Sequence, residues 1–199
     1  PAPAPAPAPV AGTAVSACRR HPPPALAAGS DRAVSFSQRI YYAGGEYGEG
    51  NILDSAAVYD PASDSHTDLP SMSTARSGFG MGRLGGLVCA VGGSDYPTVD
   101  DSCECLDTAN PGAGWSALAS LGTARTTHAV ASTSDTMCAI GGWDGSDNLL
   151  ASVECLSQGA AAWVEVASLN TVRASPGAAA VGDVIFVVGG WDAGGDPMR

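Results

Sequence analysis

Six cysteines, at positions 18, 89, 103, 105, 138 and 155, are the residues of this 199-residue chain with the most chemistry to offer. Cysteine thiols can cross-link a chain, hold a soft metal ion, or lie buried as small hydrophobes. A metal site is the weakest of these readings. No Cys-x-x-Cys pair occurs, and Cys103 and Cys105 are read as alternating on one strand and so facing opposite ways. Cys89 and Cys138 each lie three residues before a Gly-Gly pair, and Cys105 and Cys155 follow them in equivalent places. The histidines, at 21, 66 and 128, share no spacing that would hold a metal. No Gly-x-Ser-x-Gly and no phosphate loop appears, and no carboxylate pair is marked out by its setting. The reading is a non-enzymatic chain with no metal and no cofactor.

Charge is the second chemical signal. Twenty carboxylates stand against nine Lys and Arg, a formal net charge of −11. No basic stripe is available to neutralise phosphates, so nucleic acid is excluded as a partner. No run of 18 apolar residues exists to span a membrane. Ten of the twenty carboxylates fall in loops that follow Gly-Gly pairs, among them Glu46, Glu49, Asp95, Asp101, Asp144, Asp147 and Asp192. With Trp143 and Trp191 they form a candidate face for a protein partner or a cation. The plainer reading of such a face is a solvated polar rim. Ca²⁺ could use such carboxylates, but no EF-hand spacing occurs.

The elements that must position these groups are repeated. GLVCAVGG at 86–93 recurs as QRIYYAGG, DTMCAIGG and DVIFVVGG, with first glycines at 44, 92, 141 and 189, steps of 48, 49 and 48. So regular a period marks a repeat architecture. Each copy is a short apolar run, suited to a buried strand, closed by glycines suited to a sharp exit. Arg76, Arg125 and Arg173 each precede the following first glycine by 16 residues, and His66, Trp115 and Trp163 precede those arginines by ten. After each acidic loop a further strand follows, SAAVYDP at 55–61, SCECLD at 102–107 and SVECLS at 152–157. Four short β segments therefore make one unit.

On these residues the unit resembles the kelch repeat, a four-stranded β-propeller blade. The Gly-Gly after the second strand, Tyr59-Asp60-Pro61 at the end of a third and the Trp of the fourth carry the likeness, over roughly residues 25–199. His66 departs from it, standing where the Trp belongs, and Arg32 precedes its Gly44 by only 12 residues. The resemblance implies an all-β kelch-type propeller of three blades and part of a fourth, in units of about 33–71, 77–120, 126–168 and 174–199. Residues 25–32 read as a lone outermost strand of the kind that closes a ring. A chain stopping at Arg199 would leave sheet edges open, so the expectation is that more chain follows, the alternative being a second copy that completes the ring.

The second and third strands of such a blade are antiparallel neighbours, with opposed Cβ atoms near disulfide reach. The expected bridges are Cys89–Cys105 and Cys138–Cys155, with Cys18–Cys103 left to tie the N-terminal segment to the second blade. Six buried free thiols are the alternative. Disulfides imply an oxidising compartment. Arginines at the kelch position are read as structural hydrogen-bond donors, although in some kelch adaptors they bind acidic peptides.

Residues 1–24 form a separate Pro/Ala-rich segment, beginning PAPAPAPAP. Proline at every second position removes the N–H and fixes φ, so polyproline II is the natural state. The plain reading is a stiff linker. The alternation also resembles the hydroxyproline-rich glycoproteins of plants and green algae, which implies glycan attachment at Pro1, Pro3, Pro5, Pro7, Pro9, Pro22, Pro23 and Pro24. The expectation is a secreted structural or adhesive glycoprotein module of a wall, matrix or surface appendage, with protein partners and attached glycans. The alternatives are an intracellular kelch adaptor binding a protein through its loop face and, third, a fragment of a galactose-oxidase-like copper enzyme.

Overall fold

The computed structural model describes residues 32–48, 50–95, 97–146 and 148–198. Within them the chain is all-β apart from one short 3-10 turn at Pro111–Ala113. β1 (Arg32–Phe36) and β2 (Arg39–Ala43) form a hairpin. The loop after them holds a two-residue hairpin of β3 (Glu46–Tyr47) and β4 (Asn51–Ile52). β5 (Ala56–Asp60) and β6 (Ser65–Leu69) complete a four-stranded antiparallel sheet, ordered β1-β2-β5-β6. The second sheet is β7 (Gly80–Leu84), β8 (Leu87–Asp95), β9 (Thr98–Asp107) and β10 (Trp115–Leu118), paired in sequence order. The third is β11 (Ala129–Ser132), β12 (Thr136–Ile140), β13 (Val153–Ser157) and β14 (Val164–Val166). β15 (Gly177–Val181) and β16 (Val184–Val188) form a final hairpin. Successive four-stranded antiparallel sheets of this kind are the blades of a β-propeller.

Each blade buries its faces only against its neighbours. Tyr41, Ala43 and Ala56 of the first sheet pack with Phe79, Val88, Ala90 and Leu106 of the second. The opposite face of the second sheet, with Cys89, Val91, Cys103 and Cys105, meets Met137, Ala139 and Leu156 of the third. Cys138, Ile140 and Val153 then carry Ala178, Ile185 and Val187 of the last hairpin. A strand whose two faces lie in different interfaces must be apolar at nearly every position. This is why Val88–Gly93, in the middle of β8, reads as one buried run rather than an alternation.

The Gly-Gly pairs mark where one blade's backbone passes against the next. Gly92 has φ +59, and a Cβ there would lie 2.6 Å from the Arg125 carbonyl oxygen and 2.9 Å from His128 Cε1. Its neighbour Gly93 donates its N–H to the same Arg125 carbonyl at 2.9 Å. The outermost strands are pinned by indoles. Trp115 Nε1 donates to the Pro70 carbonyl at 2.8 Å, and Trp163 Nε1 to the Ala119 carbonyl at 2.7 Å. Trp163 stands just before β14, not within it. His66, at the corresponding place in β6, instead shares a 2.8 Å hydrogen bond with the Tyr42 hydroxyl and lies against Tyr59.

One sequence expectation changes here. Arg32 is the first residue of the innermost strand β1, not the end of an outermost strand, and residues 25–31 lie outside the described residues. His128 immediately precedes β11.

Candidate functional site

The chemistry-bearing side chains gather in three places: the sulphur pairs inside the blades, the buried arginines between blades, and the loops after the glycines.

Opposed positions on β8 and β9 place Cys89 across from Cys105, and opposed positions on β12 and β13 place Cys138 across from Cys155. Their Cα atoms are 4.0 Å and 4.1 Å apart, and both pairs are bonded as disulfides. In the first blade the corresponding pair is Tyr41 and Val58. Cys103 carries a free, buried thiol, and Cys18, its expected partner, lies outside the described residues. The expectation that Cys103 and Cys105 face opposite ways is wrong. Residues two apart on a strand share a face, and the two sulphurs are 4.0 Å apart in the interface between the second and third blades. The residue between them, Glu104, is the one that faces the other way. Replacing Cys138 and Cys155 together by valine is expected to lower stability by about 3 kcal/mol, the chain-entropy value for a loop of this length. Urea unfolding without reductant reads this directly, and an unchanged midpoint would overturn it.

The arginines form clamps. Arg76 is 1 % exposed. Its Nη1 donates to the Gly92 carbonyl at 2.8 Å and to Asp100 Oδ2 at 2.8 Å, and its Nη2 to Glu104 Oε1 at 3.0 Å and Ser102 Oγ at 2.6 Å. The Glu104 carboxylate also accepts the backbone N–H groups of Ser73 and Thr74. Arg125, wholly buried, repeats the pattern with the Gly141 carbonyl, Ser152 and Glu154, whose carboxylate accepts the N–H groups of Gly122 and Thr123. Arg173 Nη1 reaches the Gly189 carbonyl at 3.0 Å. Each of these arginines thus ties its own blade's glycine turn, while its carbonyl accepts an N–H from the preceding blade's Gly-Gly. The glutamates were not singled out from the sequence. Their signal was there, since Glu104 follows Arg76 by 28 residues and Glu154 follows Arg125 by 29.

The loops divide. Asp100 does not join the loop face; it is spent on Arg76 and Ser102. Asp144 accepts the N–H groups of Ser146 and Asn148 and the Asn148 amide, and Asp192 accepts those of Gly194 and Asp196. The Asn148 side chain, followed by these backbone donors, holds the Asp144 carboxyl below the usual carboxylate range. Glu46 Oε1 accepts the Gly50 N–H within its own loop. Asp95 ends β8 and Asp101 sits on β9, both exposed. Trp143 and Trp191 occupy equivalent bridges, to Thr126 and Ala174, and the two residues are 37 % and 51 % exposed. Glu49 and Asp147 lie outside the described residues. The loops therefore present indole surface beside carboxylates already organised by their own backbones.

The innermost strands β1, β7, β11 and β15 border cavities of about 350 and 300 Å³. Ala33, Gly80, Gly82, Ala129, Ala131 and Ala178 make much of their lining, and the described charges there are Arg32 and Arg83.

Comparison with known proteins agrees with this geometry. The Kelch motif matches residues 32–73 and 124–170. The second blade, between these matches, forms the same four-stranded sheet. The solved structure of YjhT is similar to this chain with a TM-score of 0.72 and 13% sequence identity, over 85% of this chain and 64% of that one. At that identity the likeness is one of fold, and this chain spans less than two thirds of that structure's length. No curated protein sequence matches.

Proposed function

We propose that this chain, which carries the Kelch motif and folds as kelch-type propeller blades, is a non-catalytic structural or adhesive module that works outside the cell. The observation that carries the reading is the disulfide within each of the second and third blades. Disulfides persist where the surroundings are oxidising. The Pro-Ala segment supports the same place: its alternation suits a stiff, glycan-bearing rod that would join folded beads to one another or to a matrix. The largest buried charges, Arg76 and Arg125, are engaged in holding blades together, as expected of a scaffold.

A second reading is a binding module, intracellular or not, whose partner is a protein. The exposed rings of Trp143 and Trp191 beside Asp144 and Asp192 favour it. Aromatic residues are enriched where partners dock, and kelch propellers commonly mediate protein interactions.

Mass spectrometry of the natural protein, digested without reduction, separates the two. Hydroxylated, glycosylated prolines between residues 1 and 24 together with both blade disulfides are the expected result. Bare prolines with free thiols at Cys89, Cys105, Cys138 and Cys155 would overturn the extracellular reading and leave the adaptor.

A further inference from the structure

The second blade differs from the third in one sulphur. Where the third has Val153 beside its disulfide, the second has Cys103, and the first has Ala56. The result is a cluster in which the Sγ atoms of Cys89, Cys103 and Cys105 all lie within 4.8 Å of one another. All three residues are at most 2 % exposed. The geometry points to a binding site for one thiophilic, monovalent d¹⁰ cation, of the Cu(I) or Ag(I) class, held by Cys89, Cys103 and Cys105 when the second blade is reduced.

Spacing separates this site from the obvious competitor, a shuffled disulfide. Cys103 opposes Val91, so Cys89 and Cys103 are diagonal neighbours across the strand pair. Diagonal Cα atoms in a sheet lie about 7–8 Å apart, beyond the roughly 6.8 Å limit of ordinary disulfides. A bridging metal tolerates the longer span. Metal–sulphur bonds of about 2.3 Å in a trigonal plane put the sulphurs about 4.0 Å apart. The observed Cys103–Cys105 separation is 4.0 Å.

Ligand type selects the ion. Among the described residues the cluster contains sulphur alone, with no His, Asp or Glu able to complete it. Glu104 lies between two of the cysteines but faces the first blade, where it serves Arg76. Three soft ligands without a fourth suit a three-coordinate soft cation better than Zn²⁺, which seeks four, or Ca²⁺, which seeks oxygen.

The disulfide and the metal exclude each other. An external dithiol supplies two electrons and two protons to open Cys89–Cys105, leaving as its own cyclic disulfide. The cation then displaces thiol protons as it binds. Burial pushes the Cys103 thiol up to about 12, with the Arg76 charge lowering it and Glu104 raising it.

The test uses the full chain, reduced with a phosphine under anaerobic conditions, freed of reductant and refolded with one equivalent of Ag(I). Retained silver is measured after gel filtration against a competing chelator. The expected result is one silver per chain, with at least a hundred-fold weaker retention in Cys103→Val, which copies the third blade. The double variant Cys138→Val/Cys155→Val should still retain its one equivalent. Circular dichroism confirms that each refolded variant is β-structured, and Cys103→Ala serves if the valine protein does not fold. Retention that follows Cys138 and Cys155, equal retention without Cys103, or none in the unmodified chain would each overturn the assignment.

Discussion

Replacing Arg125 with methionine is expected to destabilise the protein by about 3–5 kcal/mol, the cost of leaving one member of a buried ion pair alone. Arg125 is wholly buried, its Nη2 lies 2.6 Å from Glu154 Oε1, and the Glu154 side chain is itself 6 % exposed. Methionine fills most of the volume and removes the charge. The Glu154 carboxylate would keep the Gly122 and Thr123 N–H groups but would remain an uncompensated charge between blades. Adding Glu154→Leu to the same chain should recover part of the loss, because an apolar pair of similar volume often replaces a buried ion pair at little net cost. The first blade already does without the glutamate: Ala57 stands at its position. Urea unfolding of the two single variants and the double gives the coupling energy directly. A loss below 1 kcal/mol for Arg125→Met would show that the clamp does not hold the third blade to the second. It would also reopen the possibility that these arginines exist for a ligand, which their burial argues against.

The repeat made most of the fold legible. A 48- or 49-residue period with fixed Arg, Trp and Gly-Gly offsets determines which segments are strands and which are neighbours, and the opposed cysteines follow from that pairing. Legibility failed where a side chain's direction mattered more than its place. Cys103 and Cys105 were assigned to opposite faces although a strand returns to the same face every second residue, and so the three-sulphur cluster was missed. The glutamates were missed for a related reason. Glu104 and Glu154 sit inside apolar strands and look like ordinary solvent-facing positions. Yet in a propeller both faces of the third strand are covered, so a carboxylate there must have a buried cation. That partner lies 28 or 29 residues away, in the preceding turn. Asp100 shows the opposite case: it is one of the carboxylates that follow the second Gly-Gly pair, yet its side chain turns inward to Arg76.

His128 shows the same both-faces logic acting on a titratable group, and acid should expose it. Its ring is 5 % exposed, and neither ring nitrogen has a hydrogen-bond partner in ordinary geometry. Burial pushes its pKa down from 6.5 to about 3, helped by the positive charges of Arg125 and Arg32, while the Val91 and Arg125 backbones raise it slightly. Below pH 6.5 the unfolded chain takes up a proton that the folded chain refuses. Stability therefore falls as pH drops, by about 1.36 kcal/mol per pH unit once the unfolded histidine is protonated. Between pH 6.5 and 4.5 the loss from this residue should approach about 2.5 kcal/mol, with ordinary carboxylates adding to it only toward the lower end. Continued to about pH 3 it approaches 4–5 kcal/mol, overlaid there by the carboxylates. Phe79 is the control that the chain itself supplies. It stands at the same place in the second blade, wholly buried, with its ring against Gly44 as the His128 ring lies against Gly92. His128→Phe should thus fit its slot and flatten the stability profile between pH 6.5 and 4.5. The variant should gain on the unmodified protein steadily as pH falls. Parallel profiles for the two proteins would mean that the imidazole is not kept neutral by burial.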